Sequence, residues 1–230
     1  MSTRSTRIAM LAVTLASASL LAACSSSSSS STTTTASSSS STTVAASAGG
    51  SKDVAGFTSQ LTGGRIRTYK ATYSLTAPTY TGTLVVERMP VGNVRFDVST
   101  STQSVAVIKT SGTNYICELT KTPTTCLSGI PDPVTGVEAL VDPSQVVTNL
   151  QAAAALGKRN VTFASQTIAG EPSTCATITS GRTGTYCVTD QGVLASATGA
   201  NGSVTLTAFT TTVPASDFSP PAGATVETIP

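Results

Sequence analysis

Few side chains in this chain are capable of chemistry, and cysteine leads them. Cysteines stand at Cys24, Cys117, Cys126, Cys175 and Cys187, and the 230 residues contain no histidine and no tryptophan. Without histidine there is no Ser-His-Asp or Cys-His nucleophile machinery and no histidine-bearing zinc site. The four later cysteines are an even number, which in an exported chain reads as two disulfides. Four cysteines allow three connectivities. The sequence-local one, Cys117–Cys126 and Cys175–Cys187, is favoured because each pair falls within one apparent hairpin. A four-cysteine zinc site is the rival, but the spacings of eight and eleven intervening residues lack any C-x₂-C knuckle. Acids are scattered singly: Glu87, Asp97 and Glu118 fall on separate predicted strands, so spacing reveals no carboxylate pair for glycoside hydrolysis. The turn bearing Gly181 and Gly184 has no phosphate-binding pattern. The expectation is a non-enzyme with no cofactor and no metal.

Cys24 belongs to a different chemistry. Residues 1–7 carry two arginines as their only charges, and residues 8–23 are apolar or small throughout. Sixteen such residues are short for a membrane span and suited to a secretory signal segment with a cleavage site. Leu21-Ala22-Ala23-Cys24 resembles the bacterial lipobox. That resemblance implies cleavage before Cys24 and acylation of its thiol. Each buried acyl CH₂ contributes about 0.8 kcal/mol, so two or three chains hold a protein on a membrane almost permanently. Residues 1–23 are therefore read as a signal peptide, and the expected location is the extracytoplasmic face of a cell membrane, lipid-anchored rather than spanning.

Charge excludes further partners. Thirteen basic residues less Arg4 and Arg7 leaves eleven, against eleven acids, so the chain beyond the signal is neutral. With only 10% charged residues it has no electrostatic footprint for nucleic acid. From residue 25 to 43 every position but Ala36 is serine or threonine, and residues 44–51 stay small. Such a stretch cannot bury enough apolar surface to offset its chain entropy, so residues 24–51 read as the lipidated cysteine and a disordered tether. Its r.m.s. reach would be on the order of 30 Å.

Residues 52–230 must hold the elements that position anything functional, and they suffice for one domain with a substantial core. A short helix is expected over residues 53–61, with Val54, Phe57 and Leu61 at helical spacing and Gly63-Gly64 ending it. Alternation then predicts strands. Tyr69, Ala71, Tyr73 and Leu75 share one face, and Val94, Phe96 and Val98 alternate with Arg95, Asp97 and Ser99. Further strands are expected over residues 81–89, 105–109 and 113–119, with turn signals every eight to twelve residues, as in an antiparallel meander. Asp142-Pro143-Ser144-Gln145 is a helix start with an N-cap acid, proline at N1 and a capping-box glutamine. Val146, Val147, Leu150, Ala153 and Ala154 give that helix one narrow apolar stripe, and Gly157 ends it. Strands resume over residues 160–168, 173–179, 184–189, 193–198 and 203–213. The proline-bearing tail from residue 217 reads as extended coil.

This order, together with Tyr186-Cys187-Val188-Thr189-Asp190-Gln191-Gly192-Val193-Leu194 and the ending Phe218-Ser219-Pro220-Pro221-Ala222-Gly223-Ala224, resembles the lipoprotein-carrier superfamily of the LolA, LolB, LppX and LprG type. The resemblance implies a mainly β (α+β) fold: a curved, antiparallel, unclosed half-barrel with one or two covering helices. It implies an acyl chain or lipidated cargo in the hollow. The wall would draw on Tyr69, Tyr73, Phe96, Val98, Val107 and Phe163, with Leu150 from the covering helix. The leading expectation is thus an anchored lipoprotein that binds or carries lipid in the cell envelope. The other reading is a non-catalytic interaction or sensing module that uses the same fold to contact an envelope protein. A carrier requires an open apolar cavity of several hundred Å³ at those residues. An interaction module requires a filled core and an exposed apolar patch.

Overall fold

The computed structural model describes residues 53–78, 80–90, 92–131, 141–157, 160–181, 183–200 and 202–229. Residues 1–23, Cys24, the tether up to residue 52 and most of the loop after Ile130 lie outside the described residues. The described chain runs as helix α1 (Val54–Gly63), strands β1 (Tyr69–Ala77), β2 (Tyr80–Met89), β3 (Asn93–Thr100), β4 (Ser104–Lys109), β5 (Asn114–Glu118) and β6 (Thr125–Ser128), helix α2 (Pro143–Ala155), then β7 (Val161–Ile168), β8 (Glu171–Ile178), β9 (Gly184–Thr189), β10 (Leu194–Gly199), β11 (Gly202–Thr210) and β12 (Thr225–Thr228).

All twelve strands form one sheet in the order β12-β6-β5-β4-β3-β2-β1-β11-β10-β9-β8-β7. Every ladder is antiparallel except β12 on β6. Neither end meets the other, so the sheet is an unclosed half-barrel with two covering helices.

Alternation sets its two faces. On β1, Ala71, Tyr73 and Leu75 are buried on the face that meets the helices. In register beside them lie Leu84 and Val86 of β2, then Phe96 of β3 and Val107 of β4. Phe57 and Leu61 of α1 and Val146, Leu150 and Ala153 of α2 close over this face. Burying a side chain of that size contributes about 1.5–3 kcal/mol, so the narrow α2 stripe is enough to hold the helix down.

The opposite face has its own cover, and here the structure corrects the expectation of a coil tail. Residues 215–218 form a 3-10 turn, and Val213 and Phe218 pack on Ala106, Ile108, Cys117 and Cys126. The tail then runs on to become β12. Arg95 pins it by donating from Nη1 to the Asp217 carbonyl at 2.9 Å. Pro220 and Pro221 lie between the buried Phe218 and the β12 pairing, so they shape the crossing without preventing either contact.

The structure bonds Cys117 to Cys126 and Cys175 to Cys187, each across one hairpin in direct register. It also differs at the end of α1. Gly63 stays helical and the chain tightens into a 3-10 turn through Ile66. A Cβ on Gly64 would lie 2.1 Å from the Gly192 carbonyl, so glycine here serves close approach to the β9–β10 turn rather than helix termination.

Candidate functional site

The residues expected to wall a lipid cavity make up the packed core instead. Tyr73, Phe96, Val107 and Leu150 are buried, and Tyr69, Val98 and Phe163 pack against them half-buried. Phe57 of α1 meets Phe163 with ring centroids 6.0 Å apart, and Tyr69 meets Phe209 at 6.2 Å. Beside Tyr69, Tyr73 and Phe96 only about 60 Å³ of space remains, too little for an acyl chain. Burial pushes the Tyr73 phenol well above its ordinary range.

Charged groups stand at the mouth of that small space. Asp142 caps α2, accepting from the Ser144 amide at 2.9 Å and the Ser144 hydroxyl at 2.7 Å, and it pairs with Arg65 at 3.4 Å. Burial alone would raise its pKa. The Ser144 hydrogen bonds and the Arg65 and Arg88 guanidinium groups outweigh burial and hold it below the usual carboxylate range. This cluster locks the start of α2 to the end of α1.

Room exists elsewhere. At one end of the half-barrel a cleft of about 680 Å³ opens between α2 and the strand ends. Its floor is Leu75, Val204 and Ala197, which lie side by side on β1, β11 and β10, with Val146 above. Tyr186 continues the row on β9, and its hydroxyl accepts from Asn149 Nδ2 of α2 at 3.1 Å. The cleft exists because the surrounding strand ends carry small residues such as Ala77, Gly199, Ala200 and Ser203. Among the described residues no charged side chain lines it. Apolar floor, hydroxyls and amides suit it to a group that combines apolar surface with hydrogen-bonding atoms.

A shallower concavity of about 980 Å³ runs along the outside of the helix pair, between Val54, Ala55 and Ile66 on one side and Val147, Ala154 and Ala155 on the other. None of the residues expected from sequence lines either concavity.

No family model matches this chain, and no curated protein matches it. Among solved structures it is similar to MucB in complex with MucA(peri), at TM-score 0.48 and 16% identity over 77% of this chain and 63% of that one. The Pseudomonas aeruginosa MucA/MucB complex gives TM-score 0.46 and 15% identity over 77% and 64%, and MucB alone gives 0.44 and 14% over 72% and 61%. The chain spans less than two thirds of the length of those chains, a likeness too distant to transfer a partner or a role.

The acids that could have served catalysis have structural work. Glu87 takes Lys70 at 2.5 Å, Asp97 takes Arg95 at 2.8 Å, and Glu118 takes Lys121 at 2.5 Å. Among the described residues no helix is long and apolar enough to cross a membrane.

Proposed function

We propose that this chain is a non-catalytic, lipid-anchored module of the cell envelope that binds a protein partner, and that Cys24 carries the anchor. The filled hollow is the observation behind this reading. A carrier needs an empty interior, and here the two helices plug it with Phe57, Leu61 and Leu150. An exposed apolar surface outside the helices accompanies the filled core, the combination expected of an interaction module. The partner's segment would enter the end cleft, where Asn149 and Tyr186 supply hydrogen bonds beside an apolar floor. The kinship with LolA- and LppX-type proteins is part of the proposal, with the carrier function given up.

A photocrosslinking residue in place of Thr198, exposed on the cleft rim, tests this in the intact envelope. The expected result is a protein adduct of one mass, absent when the crosslinker replaces the exposed Thr207 of β11. Equal yields at both positions would refute a dedicated site. A second reading rests on the cleft itself, since about 680 Å³ with an apolar floor admits an acyl chain. Native mass spectrometry separates the two: added lipid mass without a protein adduct would restore the carrier.

A further inference from the structure

We propose that the outer face of the α1–α2 pair is a bilayer-contacting surface, on which the anchored domain rests against lipid headgroups and the upper acyl region. The inference rests on the anchoring at Cys24, and it concerns a different face from the partner cleft. The described residues lining this face include no charged side chain, although acids and bases are spread over the rest of the domain. Val54, Ala55, Ala154 and Ala155 line one end of it, and Val147 lies midway among the uncharged Thr58, Ser59 and Gln151.

At the other end stands Ile66, 77% exposed. It is the most exposed large hydrophobic side chain among the described residues. The helices run antiparallel, since Arg65 at the end of α1 pairs with Asp142 at the start of α2. Ile66 therefore stands at one end of the face and Val54, Ala154 and Ala155 at the other, about 20 Å apart, the length of α2. Arg65 and Arg67, both exposed, flank Ile66 in the chain. An apolar tip between guanidinium groups matches a membrane interface, where the tip enters the acyl boundary and the cations meet headgroup phosphates.

Connectivity selects lipid over other occupants. The chain that leads back to Cys24 joins the described domain at Asp53, the cap of α1, one residue before Val54 of this face. The tether expected from the sequence, with a reach on the order of 30 Å, would keep this face near the bilayer at high effective concentration. Contact too weak to recruit a free protein is then sufficient to orient a tethered one.

The absence of tryptophan makes the test clean, because Ile66→Trp introduces a single fluorophore at an exposed site. The acylated full chain is reconstituted into vesicles of equal parts phosphatidylcholine and phosphatidylglycerol. The same chain from residue 25, held by an N-terminal hexahistidine tag on nickel-chelating lipid, is measured alongside. Val226→Trp on β12, 45% exposed, is the reference. The expected result is a blue-shifted Ile66→Trp emission, quenched several-fold more strongly than the reference by lipids brominated on their acyl chains. Water-like emission from both reporters would overturn the proposal. So would a blue shift that ignores bromination and grows with protein density, the mark of a second copy on this face. Vesicle flotation separates the two readings. An acylated chain that fails to float removes the Cys24 anchor, and the tag-held chain still decides the surface.

Discussion

Glu87 is 3% exposed, while the Lys70 side chain that neutralises it is 39% exposed. That asymmetry decides which partner matters more. Lys70→Met strands a buried carboxylate and is expected to cost about 2 kcal/mol, less than breaking a fully buried pair because Lys70 itself reaches water. Glu87→Gln lets Lys70 turn to solvent and should cost about 1 kcal/mol. Urea titrations of the two variants check the order. The hydrogen bond to Glu87 raises the Lys70 pKa, partly offset by burial. A group with a raised folded pKa stabilises fully below its unfolded value and stops doing so as pH climbs through the folded one. The Lys70→Met deficit should therefore hold at neutral pH and shrink only in strong alkali.

Helix α2 depends on its first residue. Asp142→Ala removes the cap and the Arg65 pairing at once and should cost about 1 kcal/mol at neutral pH. Because the Asp142 pKa is lowered, its contribution is present above the unfolded carboxylate value and lost as pH falls through the folded one. Melting curves of wild type and variant should converge in acid. The C-terminal crossing is an element of a different kind. Phe218→Ala uncovers Ile108 and the Cys117–Cys126 bridge, with an expected loss of about 3 kcal/mol in a thermal melt. Both helices and strands β1 to β5 and β7 to β11 were legible in the sequence because local periodicity writes them: Tyr69, Ala71, Tyr73 and Leu75 declare a face without reference to anything distant, whereas the four-residue β6 is too short to show a period. The cleft was not legible. Leu75, Val204 and Ala197 become neighbours only through register between strands far apart in the chain, and Gly199 and Gly202 look like turn residues until a helix is seen to pass above them. The same limit hid β12, whose partner β6 lies about a hundred residues upstream.

At the scale of the whole molecule the sheet is two consecutive meanders, β1 to β6 and β7 to β11, each preceded by a helix and each carrying a disulfide across one of its own hairpins. A single ladder, β1 on β11, joins them through the sheet. Gly202 opens β11 at φ +125°, and a Cβ there would lie 2.1 Å from the Thr76 carbonyl. Gly202→Ala should cost about 2–3 kcal/mol from backbone strain. Hydrogen exchange would show that loss first in the amides of β1 and β11, with the interior of each meander protected longer.

The placement of that ladder also sets a schedule. A chain made from its N-terminus completes β1 early, yet the strand that covers β1's second edge arrives about 130 residues later. Until then the molecule carries a bare row of amides and carbonyls beside its most hydrophobic strands. The first bridge, Cys117–Cys126, needs nothing beyond its own hairpin and can be oxidised during this wait. Newborn chains are thus most vulnerable to pairing with the wrong strand when half made. The last eighth of the sequence, β11 and the tail beyond it, is what ends that exposure.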